Sequence, residues 1–135
     1  MIRFLSLILV TLSSTAALAS GFICDGGGYR VKLFNEVRPE LGTQNPAVLI
    51  VSSEGVGTIA RIVEANITKE YEEGDVVYSG HTNHYSNGRF VSVRVAINKQ
   101  VDSLGYHQAK LELNADNGNW TAPLTCTEYV KGDLE

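Results

Sequence analysis

Residues 76–97 read VVYSGHTNHYSNGRFVSVRVAI, two alternating runs divided by Asn87-Gly88. β-Branched and aromatic residues at every second position suit a strand with one buried face, and Asn-Gly is a favoured centre of a two-residue type I′ turn. A turn there pairs Tyr85 with Phe90, His84 with Val91, Thr82 with Val93, Gly80 with Val95 and Tyr78 with Ile97. Val76, Tyr78, Gly80, Thr82, His84, Val91, Val93, Val95 and Ile97 then share the expected core face. Ser79, His81, Asn83, Tyr85, Phe90, Ser92 and Arg94 share the other.

The flanking turns extend this register. Upstream, Glu73-Gly74 pairs Tyr71 with Val76, Lys69 with Tyr78, Ile67 with Gly80 and Ala65 with Thr82. Val63, Ala65, Ile67 and Tyr71 therefore fall on the same core face, with Lys69 the exception, so two separate turns agree. Downstream, Asn117-Gly118 opposes Ala115 with Trp120, Leu113 with Ala122, Leu111 with Leu124 and Ala109 with Cys126. Cys126 then points inward. Pro123 falls on the outer face opposite Glu112, where its missing N–H calls for an edge or a bulge.

Earlier strands span Tyr29 to Phe34 and Ala47 to Ser53, the second joined to the Thr58 run through Gly55-Val56-Gly57. Another reversal lies at Val101 to Gly105, and the longest expected loop is Glu36 to Pro46, interrupted by Pro39, Gly42 and Pro46. Gly26-Gly27-Gly28 gives the chain freedom to turn into the first strand. The reading is all-β: a small antiparallel meander of about seven to eight strands. Such a meander removes its exposed edges by closing into a β-barrel, complete or nearly so. A two-sheet sandwich is the alternative.

The chain begins Met1-Ile2-Arg3, continues through an apolar run from Phe4 to Leu12 and reaches Ala17-Leu18-Ala19. A basic start, a short apolar stretch and a small-x-small site make a secretory signal peptide over 1–19. The run is shorter than the roughly 20 residues a membrane span needs. Bulky Phe22 and Ile23 before Cys24 do not suit a lipoprotein signal. The expectation is an exported, secreted or periplasmic protein whose single β domain covers 20–135. In an oxidising compartment Cys24 and Cys126 pair, closing a loop worth about 4.7 kcal/mol in the chain-entropy account.

The formal charge is −4, and loss of the segment carrying Arg3 takes it to −5. That sign disfavours nucleic acid and anionic lipid and suits a basic partner. His81-x-x-His84 has metal-ligand types, but residues three apart in a strand point opposite ways, so no metal site is expected. Glu70, Glu72, Glu73 and Asp75 read as a solvated turn rather than a calcium loop. The Gly26–Gly28 run lacks the lysine and helix of a phosphate loop, and no Ser/His/Asp set or nucleophile elbow is recognisable. No catalytic residue and no cofactor follow. His107 opposite Glu128 reads as a cross-strand pair. Asn66-Ile67-Thr68 and Asn119-Trp120-Thr121 match glycan acceptor patterns, which carry meaning only in a eukaryotic secretory route.

The candidate partner-binding loop is His81, Asn83, Tyr85, Asn87, Arg89 and Phe90, where aromatic, arginine and amide groups gather at one hairpin end. The competing reading is an ordinary hairpin with Tyr85 stacked on Phe90. Phe22-x-Cys24, the strand from Tyr29 to Phe34, and Ser79-Gly80 with the later Tyr85 resemble bacterial periplasmic lysozyme inhibitors of the C-type class. That resemblance implies a disulfide-bearing β-barrel inserting a loop into an enzyme cleft. Tyr85 stands later after Gly80 than the Ser-Gly-x-x-Tyr spacing of those proteins.

The functional expectation is a non-enzymatic binding module that engages a protein partner, with inhibition of a basic enzyme as one form. A carrier of a small apolar ligand inside the barrel and a structural component of the cell envelope are the alternatives.

Overall fold

The computed structural model describes residues 20–38, 43–83 and 88–130. The expected signal peptide over 1–19 and the loop residues His84, Tyr85 and Asn87 lie outside the described residues. Nine strands form one antiparallel sheet, nearly closed and barrel-shaped. They are β1 (Ser20–Gly26), β2 (Tyr29–Arg38), β3 (Thr43–Ser53), β4 (Gly57–Val63), β5 (Ile67–Glu72), β6 (Asp75–Asn83), β7 (Phe90–Val101), β8 (His107–Ala115) and β9 (Gly118–Val130). The sheet order is β4-β3-β2-β1-β9-β8-β7-β6-β5, so two meanders meet where the first strand pairs with the last.

Barrel closure follows from that order. Eight antiparallel steps separate β4 from β5, so both run the same way. A single 3₁₀ turn, Glu64–Asn66, joins them. The segment acts as one broken strand that pairs with β3 above the break and with β6 below it. Gly80 on β6 marks where the seam is tightest. A Cβ there would lie 2.5 Å from the Asn66 carbonyl oxygen and 3.1 Å from Ile62 Cγ2.

Inward positions fill the barrel with Val31, Leu33, Leu49, Val51, Ile62, Val93, Val95, Ile97, Leu111 and Leu124, all essentially dry. Each such side chain contributes about 1.5–3 kcal/mol of burial. The Cys24–Cys126 disulfide lies in this core, between directly opposed residues of β1 and β9. It clasps the first strand to the last, as the sequence implies, but that junction is fully hydrogen-bonded sheet. The closing seam lies elsewhere, at the β4–β5 break.

The Glu73-Gly74 turn pairs Tyr71 with Val76, Lys69 with Tyr78 and Ile67 with Gly80, as expected. Glu73 (φ 38°) and Gly74 (φ 91°) supply the two left-handed residues that the tight turn requires. Ala65 belongs to the 3₁₀ turn rather than to a ladder with Thr82. Tyr71 and Val63, expected in the core, are 64% and 44% exposed. In the sheet β5 pairs with β6 alone, and its residues from Thr68 to Glu72 are exposed. Tyr71 instead receives Lys69 and Lys99, whose ammonium groups sit 5.7 and 4.6 Å from its ring centre.

Across the other two predicted turns the pairing slips by two residues. Val91 faces Thr82, Val93 faces Gly80, Val95 faces Tyr78 and Ile97 faces Val76, and the ladder's end pair is Asn83 with Phe90. On β8–β9, Trp120 faces Leu113, Ala122 faces Leu111, Leu124 faces Ala109 and Cys126 faces His107. Asp116-Asn117 is the turn, and Gly118, with φ 152°, begins β9. A slip of two preserves every inward and outward assignment, because side chains alternate with period two.

Pro123 faces Lys110 and is exposed, and the β1–β9 ladder ends at Asp25–Thr125, before Pro123 needs to donate. The expected loop over Glu36 to Pro46 is mostly ladder, with Arg38 paired to Thr43 and Asn35 to Pro46. The register shift at Phe34/Asn35 is where the ladder accommodates Pro46.

Candidate functional site

The alternating strand directions put the β1–β2, β3–β4, β6–β7 and β8–β9 turns at one pole of the barrel. A cavity of about 260 Å³ opens there, lined by Tyr29, Ser53, Val56, Ile59, Arg89, Val91, Leu113, Ala115, Asn117 and Trp120. Val91 at the start of β7 and Leu113 and Ala115 at the end of β8 are inward residues at this pole and make its apolar floor. Tyr29 and Trp120 are the first inward residues of β2 and β9 and form aromatic walls. Trp120 keeps 42% of its surface exposed, its ring 3.4–3.5 Å from where a Gly118 Cβ would stand.

Ile59 reaches this mouth through a β-bulge. Ser52 faces Thr58 and Val51 faces Ala60, which leaves Ile59 as the extra residue. Strict alternation would send Ile59 outward, since Ala60 points inward. The bulge re-aims it, and both side chains are buried. Above the floor, Val56 at the tip of the β3–β4 turn is 61% exposed. Arg89, Ser53 and Asn117 supply the polar rim.

Of the expected loop residues, Arg89 lines the mouth. His81, Asn83 and Phe90 occupy the outer face of β6 and β7, where the His81 and Phe90 rings lie 5.4 Å apart and tilted by 31°. The expected Tyr85–Phe90 stack involves a residue outside the described ones, as do Tyr85 and Asn87 themselves. Tyr29, Ile59 and Trp120 escaped the sequence reading. Trp120 carried a readable signal, being the sole tryptophan and near a turn, whereas Ile59 carried none because a bulge moves it.

Two further polar arrangements are structural. His107, 6% exposed, faces Cys126 and donates from Nδ1 to the Asn98 carbonyl at 2.6 Å, where the β7–β8 register shifts. Its Nε2 is 4.0 Å from Glu128, a diagonal neighbour rather than the directly opposed partner expected. Phe22 meets the imidazole edge-on at 5.4 Å. On the outer face, Arg94 bridges Glu72 at 2.8 Å and Glu112 at 2.9 Å, and both carboxylates push its pKa up. Being partly exposed, such pairs contribute at most about 1 kcal/mol each.

Among the described residues, no group of three or more His, Cys, Asp or Glu is arranged to hold a metal. No described helix is long and apolar enough to cross a membrane. Comparison of the chain with protein-family models, with curated proteins and with solved structures finds no match.

Proposed function

We propose that this chain is an exported, non-enzymatic binding module that docks a protein partner at the barrel mouth. The observation that carries this reading is the size and chemistry of the cavity. Small-molecule sites occupy about 300–1,000 Å³. At about 260 Å³ the mouth lies at the small end of such sites. A leucine-sized hole in a protein core is on the order of 150 Å³, so the mouth suits one large apolar side chain with its flanking atoms. Its walls carry tryptophan, tyrosine and arginine, the residue types that dominate protein–protein hot spots. A carrier would instead need room deeper in the barrel, where leucine, isoleucine and valine are packed. The buried disulfide favours export to an oxidising compartment, and the acidic charge favours a basic partner, an enzyme held inhibited being one form.

The test is affinity capture from the extracytoplasmic fraction of the producing cells. Wild type is compared with Trp120→Ala, Val56→Asp and the outer-face control Ser92→Ala. A partner held by wild type and Ser92→Ala but lost with both mouth variants supports the reading, with Trp120→Ala weakening affinity by about 30-fold or more. Capture indifferent to both mouth variants refutes it.

A further inference from the structure

The mouth has a charge axis as well as an apolar floor. With the broken β4–β5 segment counted once, the sheet order sets eight strand positions around the barrel. The β3–β4 and β8–β9 turns then lie four positions apart and face each other across the cavity. Each carries one exposed carboxylate, Glu54 on the first and Asp116 on the second. Among the described residues neither side chain has a hydrogen bond or an ion pair. The other described charges at this pole are engaged: Arg30 pairs with Asp25 at 2.6 Å, and Arg89 has an interaction within the chain. The uncompensated charge of the mouth is therefore negative and lies at both ends of one diameter. Both turns are held in place. The Glu54 N–H donates to the Gly28 carbonyl at 2.9 Å and the Val56 N–H to the Ser53 carbonyl at 3.2 Å. Asp116 sits in a two-residue turn closed by the Ala115–Gly118 pair. Carboxylates carried on such turns are positioned before a partner arrives, which lowers the cost of ordering them.

We propose that the mouth receives an extended basic segment of a partner protein, in which a large apolar residue has lysine or arginine two positions to either side. The inference rests on the mouth being a protein-docking pocket and names the chemistry of the segment it takes. Side chains at i−2, i and i+2 of an extended segment share one face and span about 13 Å. Eight strand positions about 4.8 Å apart, tilted as a barrel requires, make a ring roughly 16 Å across. The apolar side chain enters over Val91, Leu113 and Ile59, between the walls of Tyr29 and Trp120. The two cations, on long flexible stems, cover the remaining distance to Glu54 and Asp116. Both ion pairs stay near water, so they select and steer the segment while the apolar anchor supplies most of the affinity. An acidic segment would meet two like charges instead.

Trp120 is the single tryptophan of the chain, so its fluorescence reports on the mouth. The probes are end-capped peptides of sequence Gly-Lys-Thr-Phe-Thr-Lys-Gly. Three relatives carry glutamine for both lysines, glutamate for both lysines, or alanine for the phenylalanine. Each is titrated into the disulfide-bonded protein from about 10 μM to 5 mM, a range suited to weak contacts. The basic peptide should shift the emission saturably and bind about tenfold more tightly than the glutamine peptide. That advantage should shrink as salt rises. The glutamate and alanine peptides should give no saturable shift. Glu54→Gln and Asp116→Asn should each weaken the basic peptide about two- to fivefold and leave the glutamine peptide unchanged. Glu70→Gln removes the same charge from β5, away from the mouth, and should change neither. All three residues are exposed, so the fold is retained, which thermal unfolding checks. Equal binding of the basic and glutamine peptides, a loss with Glu70→Gln as large as with Glu54→Gln, or no response to the basic peptide overturns the proposal. If the proposal falls in any of these ways while Val56→Asp still loses a captured partner, the mouth reading stands. If Val56→Asp changes neither peptide binding nor capture, both fall.

Discussion

Replacing Gly80 with alanine tests how the barrel is closed, because the expected sign opposes the usual one. Gly80 has a backbone conformation that any residue adopts, so alanine there introduces no torsional strain. At such a site Gly→Ala ordinarily stabilises by about 0.4–1 kcal/mol, through the unfolded chain. Here the new Cβ would meet the Asn66 carbonyl oxygen at 2.5 Å and Ile62 at 3.1 and 3.3 Å. A side chain can yield, but the Asn66 oxygen belongs to the 3₁₀ turn that bridges the seam, so backbone must move. Overpacking of this kind costs about 1–3 kcal/mol. For a domain of this size that corresponds to a melting temperature lower by about 4–12 °C. Urea unfolding by linear extrapolation is the assay, with an unchanged m value showing that the unfolded state is not the cause. Adding Ile62→Val should recover only part of the loss, because the carbonyl contact remains. A Gly80→Ala variant as stable as wild type, or more so, refutes the tight seam and with it the reading of β4–β5 as one bridging strand.

Removing the disulfide by Cys24→Ala/Cys126→Ala should destabilise by roughly 3–5 kcal/mol, since the bond closes 102 residues of chain. Domains of this kind hold about 5–15 kcal/mol in total, so a fall below 1 kcal/mol in urea unfolding would contradict the assignment. Tyr78 is pushed up to about 12, first by burial and then by the neighbouring Tyr71 and Glu128 charges. Its folded value lies above its unfolded value near 10, so the contribution is complete below pH 10 and is lost as pH rises towards 12. Tyr78→Phe should flatten that alkaline limb by on the order of 2 kcal/mol, read from unfolding midpoints at pH 9 to 12.

The faces of the strands were legible, whereas their exact pairings were legible across the Glu73-Gly74 turn and not across the β6–β7 and β8–β9 connections. Side-chain alternation alone assigns Val91, Val93, Val95 and Ile97 inward, and any even slip keeps them there. Turn position needs backbone angles that composition only hints at. Asn117-Gly118 has the composition of a tight turn, yet Asp116-Asn117 makes it, because Gly118 is extended into β9 and lets the Trp120 ring lie against it. Glu73-Gly74 was read correctly because its glutamate accepts a left-handed backbone beside glycine. The core assignment of Tyr71 failed for a different reason. Parity states which face a residue occupies, but only the sheet order shows whether anything covers that face, and β5 is the sheet's last strand.

The same distinction explains how the mouth was approached but not seen. The loop from His81 to Phe90 was chosen for residue types that favour contact, and its pole is the right one. Outward parity then removes His81, Asn83 and Phe90 from the cavity and leaves Arg89. The cavity is made by inward residues at strand ends of one pole and by Ile59, which a bulge turns inward against its own alternation. Trp120 follows the alternation and is half exposed all the same, because its position near the turn lifts it above the packed layers. A large apolar side chain at an inward position next to a turn is therefore the sequence signal for a barrel mouth. Tyr29 and Trp120 both meet it, on strands that are not sheet neighbours. Their convergence on one cavity required the pairing of β1 with β9, the single long-range junction that local turns do not encode.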